Sequence, residues 1–404
     1  MGPGPFVGSE AIAVSPDGRN VYVASSTSDA IAVFQRNPAT GKLTQAAGAA
    51  GCIAAGGTNG CGTGLGLDGP NSVAVSPDGE NVYATSFQSS SIAVFGRNPS
   101  TGALTQAADG TGCLAAAAIP GCQTARGLDG ADVVAVSHDG RDVYTGSFRG
   151  NTVAAFARYH GGALQQLFGT GGCISQGGAG GCASAVAMSN VEGLVVSGDG
   201  ENVYAAAPGS NAVDVLARDF STGALTQLTG GSGCFTNAPL AGCTTGRWLG
   251  GADSVATSPD GKSVYAAASL TNSVANFTRT SSTGRLAQAS GTTGCAIYVL
   301  AVACTLGRTL ILPEGLAVSP DGANVYVASF LPGSIDVFDR DASTSGLMEK
   351  PRKPGCLIDP RFNCVHAQAM RGASSVTVSP NGKNVYVTAF ASNGVTVFNR
   401  VTKR

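Results

Sequence analysis

Seven near-copies of one phrase, spaced 60 or 61 residues apart and free of any helical period, predict an all-β chain folded as a seven-bladed propeller. The phrase is AVSPDGRNVYVAS at Ala13, and it returns as AVSPDGENVYATS, AVSHDGRDVYTGS, VVSGDGENVYAAA, ATSPDGKSVYAAA, AVSPDGANVYVAS and TVSPNGKNVYVTA. The serine opening each SPDG-like turn stands at Ser15, Ser76, Ser137, Ser197, Ser258, Ser319 and Ser379. At 404 residues the chain has the length of two or three ordinary domains. Units that cannot bury both faces alone must stack, however, so residues 1–404 are read as a single domain of seven repeats of about 61 residues.

Each unit yields four antiparallel strands in order. An apolar run (IAV in the first unit) forms the innermost strand, and SPDG reverses the chain with Pro at the second and Gly at the fourth turn position, the chemistry of a type I turn. NVYVA is the second strand and, after a short polar loop, IAVF is the third. NPATG offers another tight reversal into a fourth strand, KLTQ. A composition of 59 glycines with 12% charged residues suits many short strands joined by tight turns. Seven of the nine tyrosines share one repeat position (Tyr22, Tyr83, Tyr144, Tyr204, Tyr265, Tyr326, Tyr386), and Phe34, Phe95, Phe156, Phe277, Phe338 and Phe398 share another, so both sets are read as core. Leu216 fills the missing Phe position in the fourth unit.

Ring closure is left with two expectations. After GVTVF in the seventh unit the chain reads NRVTKR, without a GxLTQ-like fourth strand, and nine residues precede Glu10. Either Pro5, Phe6 and Val7 supply a short closing strand, or the last blade has three. An open edge invites strand pairing, so the chain is expected to be a monomer or an edge-mediated oligomer.

Composition excludes some partners. A net charge of −1 gives no electrostatic footprint for nucleic acid or an anionic membrane, and the longest apolar runs are strand-sized, so no membrane span is expected. The twelve cysteines fall in six close pairs: Cys52/Cys61, Cys113/Cys122, Cys173/Cys182, Cys234/Cys243, Cys295/Cys304 and Cys356/Cys364. Five pairs enclose eight residues and the last encloses seven, which reads as one disulfide-closed loop between successive blades; zinc sites want a shorter spacing and two pairs brought together. Disulfides persist in oxidising compartments, so a secreted or cell-surface protein is expected. MGPGPFVGSE has no basic stretch followed by an apolar run, so a signal peptide is expected to be absent from this sequence.

The SPDG turn followed by NVYVTAF (Asn384 to Phe390) and IAVF resembles the repeat of the seven-bladed lactonase-type propellers, often described by a Tyr-Val-Thr-Asn repeat, and the resemblance runs along essentially the whole chain. It implies the fold and, among activities, hydrolysis of sugar lactones. The disulfide loops are not part of the generic repeat and mark this chain as a disulfide-bearing, exported variant.

In a ring of near-identical units, structural residues repeat and site residues break the repeat. Five residues before each turn serine, at the mouth of the innermost strand, stand Glu10, Asn71, Asp132, Glu192, Asp253, Glu314 and Ser374. Leaning inward, they would form an oxygen-rich cup, the ligand type that Ca²⁺ or Mg²⁺ wants, and without a cation clustered carboxylates repel and take up protons. The resemblance implies the same region, since calcium-dependent propeller lactonases hold a metal there with Glu, Asn and Asp; Glu10, Asn71, Asp132, Glu192, Asp253 and Glu314 are the candidate metal ligands. The alternative is that these residues simply cap strand ends.

Four residues past each repeat tyrosine stand Ser26, Phe87, Phe148, Pro208, Ser269, Phe330 and Phe390, so that Phe87, Phe148, Phe330 and Phe390 form an apolar rim or pack on neighbouring loops. Arg126, Arg247, Arg308 and Arg371 decorate the inter-blade loops unevenly and are candidates for holding a ligand carboxylate or for bracing loops. Trp248, the only tryptophan, follows Arg247 as a stacking platform or local packing. Of the three histidines, His138 and His160 belong to the opposite face, leaving His366 beside Glu192 and Glu314 as catalytic candidates. No GxSxG elbow, His-rich metal motif or phosphate loop is present, so a hydrolase would use metal-activated water with a carboxylate base. The sequence therefore supports an exported propeller binding a divalent cation or a small polar ligand at its acidic mouth. The alternatives are a metal-dependent lactone hydrolase at that mouth and a purely structural surface module, with a small molecule, protein or glycan as partner on the disulfide-loop face.

Overall fold

The computed structural model describes residues 7–298, 303–351, 353–358 and 364–401. Seven mainly antiparallel sheets follow one another along the chain, and no α-helix occurs among the described residues. The innermost strands of successive sheets pack against one another, including those of sheets 7 and 1, so the sheets are the blades of a closed ring.

Blade 1 shows how the repeat becomes a sheet. Ser9–Val14 lies innermost, Asn20–Ser25 pairs with it, and Ala30–Arg36 pairs with the second strand. The SPDG turn is built by its own side chains: Gly18 N–H donates to Ser15 C=O at 2.8 Å, Ser15 Oγ donates to Asp17 Oδ1 at 2.5 Å, and Asn20 N–H donates to Ser15 Oγ at 3.0 Å. Ser and Asp are therefore written into the repeat because they close the turn.

Beyond the third strand the blade differs from the four-stranded expectation. Leu43–Gln45 covers one half of the third strand, Cys52–Ala55 covers the other half, and Gly62–Gly64 adds in parallel outside it. The outer edge is thus one interrupted strand plus a short parallel one, giving six segments in each of blades 1 to 6.

All six expected disulfides form: Cys52–Cys61, Cys113–Cys122, Cys173–Cys182, Cys234–Cys243, Cys295–Cys304 and Cys356–Cys364. Their place in the fold differs from the sequence expectation of loops between successive blades. Cys52, Cys113, Cys173, Cys234, Cys295 and Cys356 each open the segment that pairs with the third strand of their own sheet. Cys61, Cys122, Cys182, Cys243, Cys304 and Cys364 each immediately precede the outermost parallel strand of that same sheet. Each bridge therefore joins the two outermost segments of one blade, because the chain after the first cysteine turns back onto the third strand before it leaves for the next blade.

The core lies between blades. Tyr22, Tyr83, Tyr144, Tyr204, Tyr265 and Tyr386 are fully buried, as are Phe95, Phe156, Phe277 and Phe338. The tyrosine hydroxyls reach across to the next blade, as Tyr22 Oη donates to Gly102 C=O at 2.9 Å. Gly102 has φ +79, and a Cβ there would stand 2.3 Å from Asn20, so the NPxTG-type turn ends in glycine to let the neighbouring blade close.

Blade 7 has three strands among the described residues, Ala373–Val378, Asn384–Ala389 and Gly394–Asn399. Of the proposed closing strand, Pro5 and Phe6 lie outside the described residues, and Val7 donates its N–H to Ser28 Oγ at 2.9 Å. Blades 7 and 1 join through Gly8 N–H to Asn393 Oδ1 at 3.0 Å and through Ser374 Oγ, which donates to Ser9 C=O and Glu10 C=O.

Candidate functional site at the central mouth

Glu10, Asn71, Asp132, Glu192, Asp253, Glu314 and Ser374 line one cavity of about 250 Å³ at the mouth of the ring. The device that aims them is a backbone irregularity. In six blades the pairing of the first two strands shifts register between Ser9/Ala11, Pro70/Ser72, Ala131/Val133, Ala252/Ser254, Pro313/Gly315 and Ala373/Ser375. The residue skipped each time is the mouth residue itself: a β-bulge leaves it unpaired and turns its side chain toward the axis. Blade 4 lacks the bulge, and Glu192 is instead held by its N–H donating to Ala206 C=O at 3.1 Å.

Burial in this cup, with a smaller push from neighbouring acids on the glutamates and Asp253, moves the protonation of its carboxyls toward neutrality. Burial raises Glu192 to about 8, with a further push from Asp132, and burial, then Glu10 and Glu192, raise Glu314 to about 8. Glu10 rises to about 7 by burial, partly offset by Ser26 Oγ donating to its Oε1 at 3.0 Å. Burial raises Asp132 to about 6 against the pull of Asn71 Nδ2, which donates to its Oδ1 at 2.5 Å. Asp253 lies well above the usual carboxylate range, chiefly from burial, and its Oδ1 is buried without a hydrogen-bond partner. At neutral pH the cup holds protonated and ionised carboxyls together.

The rim phenylalanines form two pairs. Phe87 and Phe148 meet edge to face at 5.9 Å with the Arg149 guanidinium 4.2 Å above Phe87, and Phe330 and Phe390 lie 6.3 Å apart. All four are half-buried, so they both pack on each other and present surface.

Other candidates stand elsewhere. Arg126 donates to Gly169, Gly180 and Gly181 C=O, Arg247 donates to Ala289 and Gly291 C=O, and Arg308 pairs with Glu349 at 2.8 Å, all on the outer segments of the following blade. These three brace loops, while Arg371 is exposed with its N–H donating to Ser392 Oγ. His366 sits on Val365–His366, the outermost strand of blade 6, four strand spacings from the strand carrying Glu314. At the usual interstrand distance that is about 19 Å, which separates it from the cup. Trp248 packs beside the Cys295–Cys304 disulfide. The disulfides share this outer position: Cys61, Cys122, Cys182, Cys243, Cys304 and Cys364 adjoin the outermost strands of their blades, so the closed loops stand at the ring's perimeter and not around its mouth. Ser374 is occupied with ring closure. The cup offers hard oxygen donors, but among the described residues no three or more Asp, Glu, His or Cys side chains stand close enough together to hold the expected Ca²⁺ or Mg²⁺.

Residues 6–119 match the family described as Lactonase, 7-bladed beta-propeller. The fold is that of a seven-bladed propeller. A search of curated protein sequences finds no match. Among solved structures, a Bacteroides fragilis protein described as a candidate 6-phosphogluconolactonase is 17% identical with TM-score 0.61, covering 98% of this chain and 90% of its own. A Pseudomonas aeruginosa periplasmic gluconolactonase is 18% identical with TM-score 0.58, covering 84% and 83%. Hydrazine synthase of Kuenenia stuttgartiensis, 16% identical with TM-score 0.56 over 98% and 97%, shares the same architecture. Such distant likenesses establish the propeller fold and not its chemistry.

Proposed function

We propose that the mouth binds a small, neutral, polyhydroxylated ligand of the sugar-lactone class and hydrolyses it with its own carboxyls. The observation that carries this reading is the convergence of Glu10, Asp132, Glu192, Asp253 and Glu314 on one cavity; burial there pushes Asp132 up to about 6, Glu10 to about 7 and Glu192 and Glu314 to about 8, which suits acid and base roles near neutral pH. Asp132, the most readily ionised of these, takes a proton from water as the oxygen attacks the lactone carbonyl carbon. Glu192 or Glu314 then gives its proton to the ring oxygen as the acyl C–O bond breaks. The product is a hydroxy acid, anionic at neutral pH, and the acidic cup repels it, which favours release. The same repulsion disfavours a phosphorylated lactone. The Phe87/Phe148 and Phe330/Phe390 pairs give the ring of the ligand apolar surface to lie against. The matched family description and the periplasmic gluconolactonase neighbour support the substrate class. The six disulfides support an exported protein.

The test is the rate of D-glucono-1,5-lactone hydrolysis at constant pH in the presence of a chelator. The expected result is acceleration over buffer that falls by about two orders of magnitude when Glu192→Gln and Glu314→Gln are combined. Absence of acceleration, or full activity in the double variant, would overturn the reading. Activity that appears only on adding Ca²⁺ or Mg²⁺ would assign the cup to a cation instead.

A further inference from the structure

The six disulfides share one position in the repeat, but their surroundings differ. The first cysteine of each lies directly opposite one residue of the third strand of its own blade. That residue is Ala32 opposite Cys52, Ala93 opposite Cys113, Ala154 opposite Cys173 and Ala275 opposite Cys295. In blades 4 and 6 the place is taken by an acid, Asp214 opposite Cys234 and Asp336 opposite Cys356. Directly opposed side chains of an antiparallel pair leave the same face of the sheet with their Cβ atoms about 5 Å apart, so each carboxyl stands beside a disulfide-bonded cysteine.

Both aspartates are fully buried, and they differ in what satisfies them. Thr309 donates its N–H to Asp336 Oδ1 at 3.1 Å and its hydroxyl to Asp336 Oδ2 at 2.7 Å. In blade 4 the place of Thr309 is held by Ala187, which has no hydroxyl and packs with Cys234 and Cys243. Asp214 Oδ1 accepts from Gln227 Nε2 at 2.7 Å, and Asp214 Oδ2 is buried without a hydrogen-bond partner. Burial, only partly offset by Gln227, holds this carboxyl well above the usual carboxylate range, so it keeps its proton at neutral pH. A buried polar atom left unpaired is costly, and four sister blades assemble with alanine there, so the fold does not require the acid. The disulfide beside it is open from one side. Cys234 is fully buried, whereas Cys243 is half-buried and residues 237–242 between them are all exposed.

We infer that Cys234–Cys243 is a thiol-exchange site, distinct from the mouth, at which a small-molecule thiol attacks Cys243 and Asp214 supplies the proton that Cys234 needs to leave. The thiolate of the incoming molecule forms a bond to Cys243 Sγ, the Cys234–Cys243 bond breaks, and its electron pair goes to Cys234 Sγ. The Asp214 proton passes to that sulfur, which leaves a mixed disulfide on Cys243, a thiol at Cys234 and a carboxylate at Asp214. A buried thiolate is otherwise a poor leaving group, because burial disfavours its charge. A second thiol then displaces Cys243, so the two external thiols depart joined as a disulfide while the cysteine pair is reduced. In the reverse direction Asp214 takes the proton back as Cys234 attacks the mixed disulfide.

The test exposes the intact, folded protein to dithiothreitol at pH 7, quenches with an alkylating agent at intervals, and maps the labelled cysteines by mass spectrometry. Cys113–Cys122 is the matched control, since Cys113 is buried, Cys122 is half-buried and Ala93 stands where blade 4 has Asp214. Cys234 and Cys243 are expected to be labelled at least about tenfold faster than Cys113 and Cys122. Asp214→Asn keeps an oxygen for Gln227 but has no acidic proton, and it should slow the opening of Cys234–Cys243 about tenfold while leaving Cys113–Cys122 unchanged. A merely structural Asp214 would give the opposite sign, because loosening blade 4 speeds access to its disulfide. Equal rates for the two disulfides in the unaltered protein overturn the inference, whether or not the variant folds. Opening of Cys234–Cys243 that is as fast or faster in Asp214→Asn overturns it as well.

Discussion

Arg97 Nη2 stands 2.7 Å from Asp17 Oδ2 across the seam between blades 2 and 1. The same guanidinium donates to Tyr22 Oη at 3.0 Å, Asn20 Oδ1 at 2.6 Å and Gly79 C=O at 2.8 Å, so one side chain at the end of a third strand ties down the turn, the second strand and the buried tyrosine of the preceding blade. Arg158, Arg218, Arg279, Arg340 and Arg400 repeat the lock with Asp78, Asp139, Asp199, Asp260 and Asp321. Arg97→Met is expected to lower unfolding free energy by about 2–3 kcal/mol in denaturant titration, the low side for breaking a buried pair because Asp17 keeps a third of its side chain in water. A loss below about 1 kcal/mol would mean that the lock contributes no more than a surface pair to holding the ring.

The seam between blades 7 and 1 lacks this ion pair. There the turn reads SPNG, and Arg36 donates to Asn381 Oδ1 at 3.3 Å, Asn384 Oδ1 at 2.7 Å and Tyr386 Oη at 2.5 Å. Asn381→Asp restores the pattern of the other six seams and is expected to stabilise the protein by up to about 1 kcal/mol at pH 7. The gain should vanish as pH falls through the carboxylate range; thermal melts at pH 7 and pH 3 check both halves.

Stability should fall on both sides of mildly acidic pH. The mouth glutamates have folded values raised from 4.5 to about 7 and 8, so the protons they hold stabilise the fold below pH 4.5, and that contribution is lost as pH rises through 7 to 8. The turn aspartates behave oppositely. Burial raises Asp17, but hydrogen bonds from Ser15, Arg97 and the Arg19 N–H outweigh it, and Asp321 is lowered to about 2 by the equivalent partners, so their contribution is present above pH 3.8 and lost as pH falls toward 2. The melting temperature is expected to peak near pH 5, and Glu192→Gln with Glu314→Gln should flatten its decline between pH 5 and pH 9. An unchanged decline in the double variant would contradict the cup's electrostatics.

Each disulfide closes a short loop, with nine residues of separation in five cases and eight for Cys356–Cys364, and the chain-entropy relation assigns such a loop about 2–3 kcal/mol. Replacing Cys113 and Cys122 together by serine is expected to lower stability by that amount, measured by denaturant midpoint, while leaving lactone hydrolysis intact. Loss of activity without loss of fold would place the loop in the site.

The period of the SPDG turns and the shared Tyr and Phe positions made the ring legible, because equal spacing along the chain becomes equal angles about an axis. The cysteine spacing likewise gave every disulfide partner, but not the side of the blade boundary on which Cys61, Cys182, Cys243 and Cys364 fall. The arginines at 36, 97, 158, 218, 279, 340 and 400 keep the same spacing as the turns, so the inter-blade lock could have been read beside the tyrosines. The bulge could not: no residue type marks an unpaired position shared by Glu10, Asn71, Asp132 and Ser374. Nor could the radial placement of Arg126, Arg308 and His366, which follow from the outer segments folding back onto their own blade and away from the axis. Position along the repeat gives the face of the ring but not the distance from its centre.

Carboxyls distant in the chain meet in one partly buried cup at the mouth. Carbon-13 chemical-shift titration of the glutamate side-chain carboxyls measures it directly. Glu10, Glu192 and Glu314 should titrate with midpoints near 7, 8 and 8 in the free protein. Midpoints for all three near the ordinary value of about 4.3 would place them in open water and rule out a shared, buried cup.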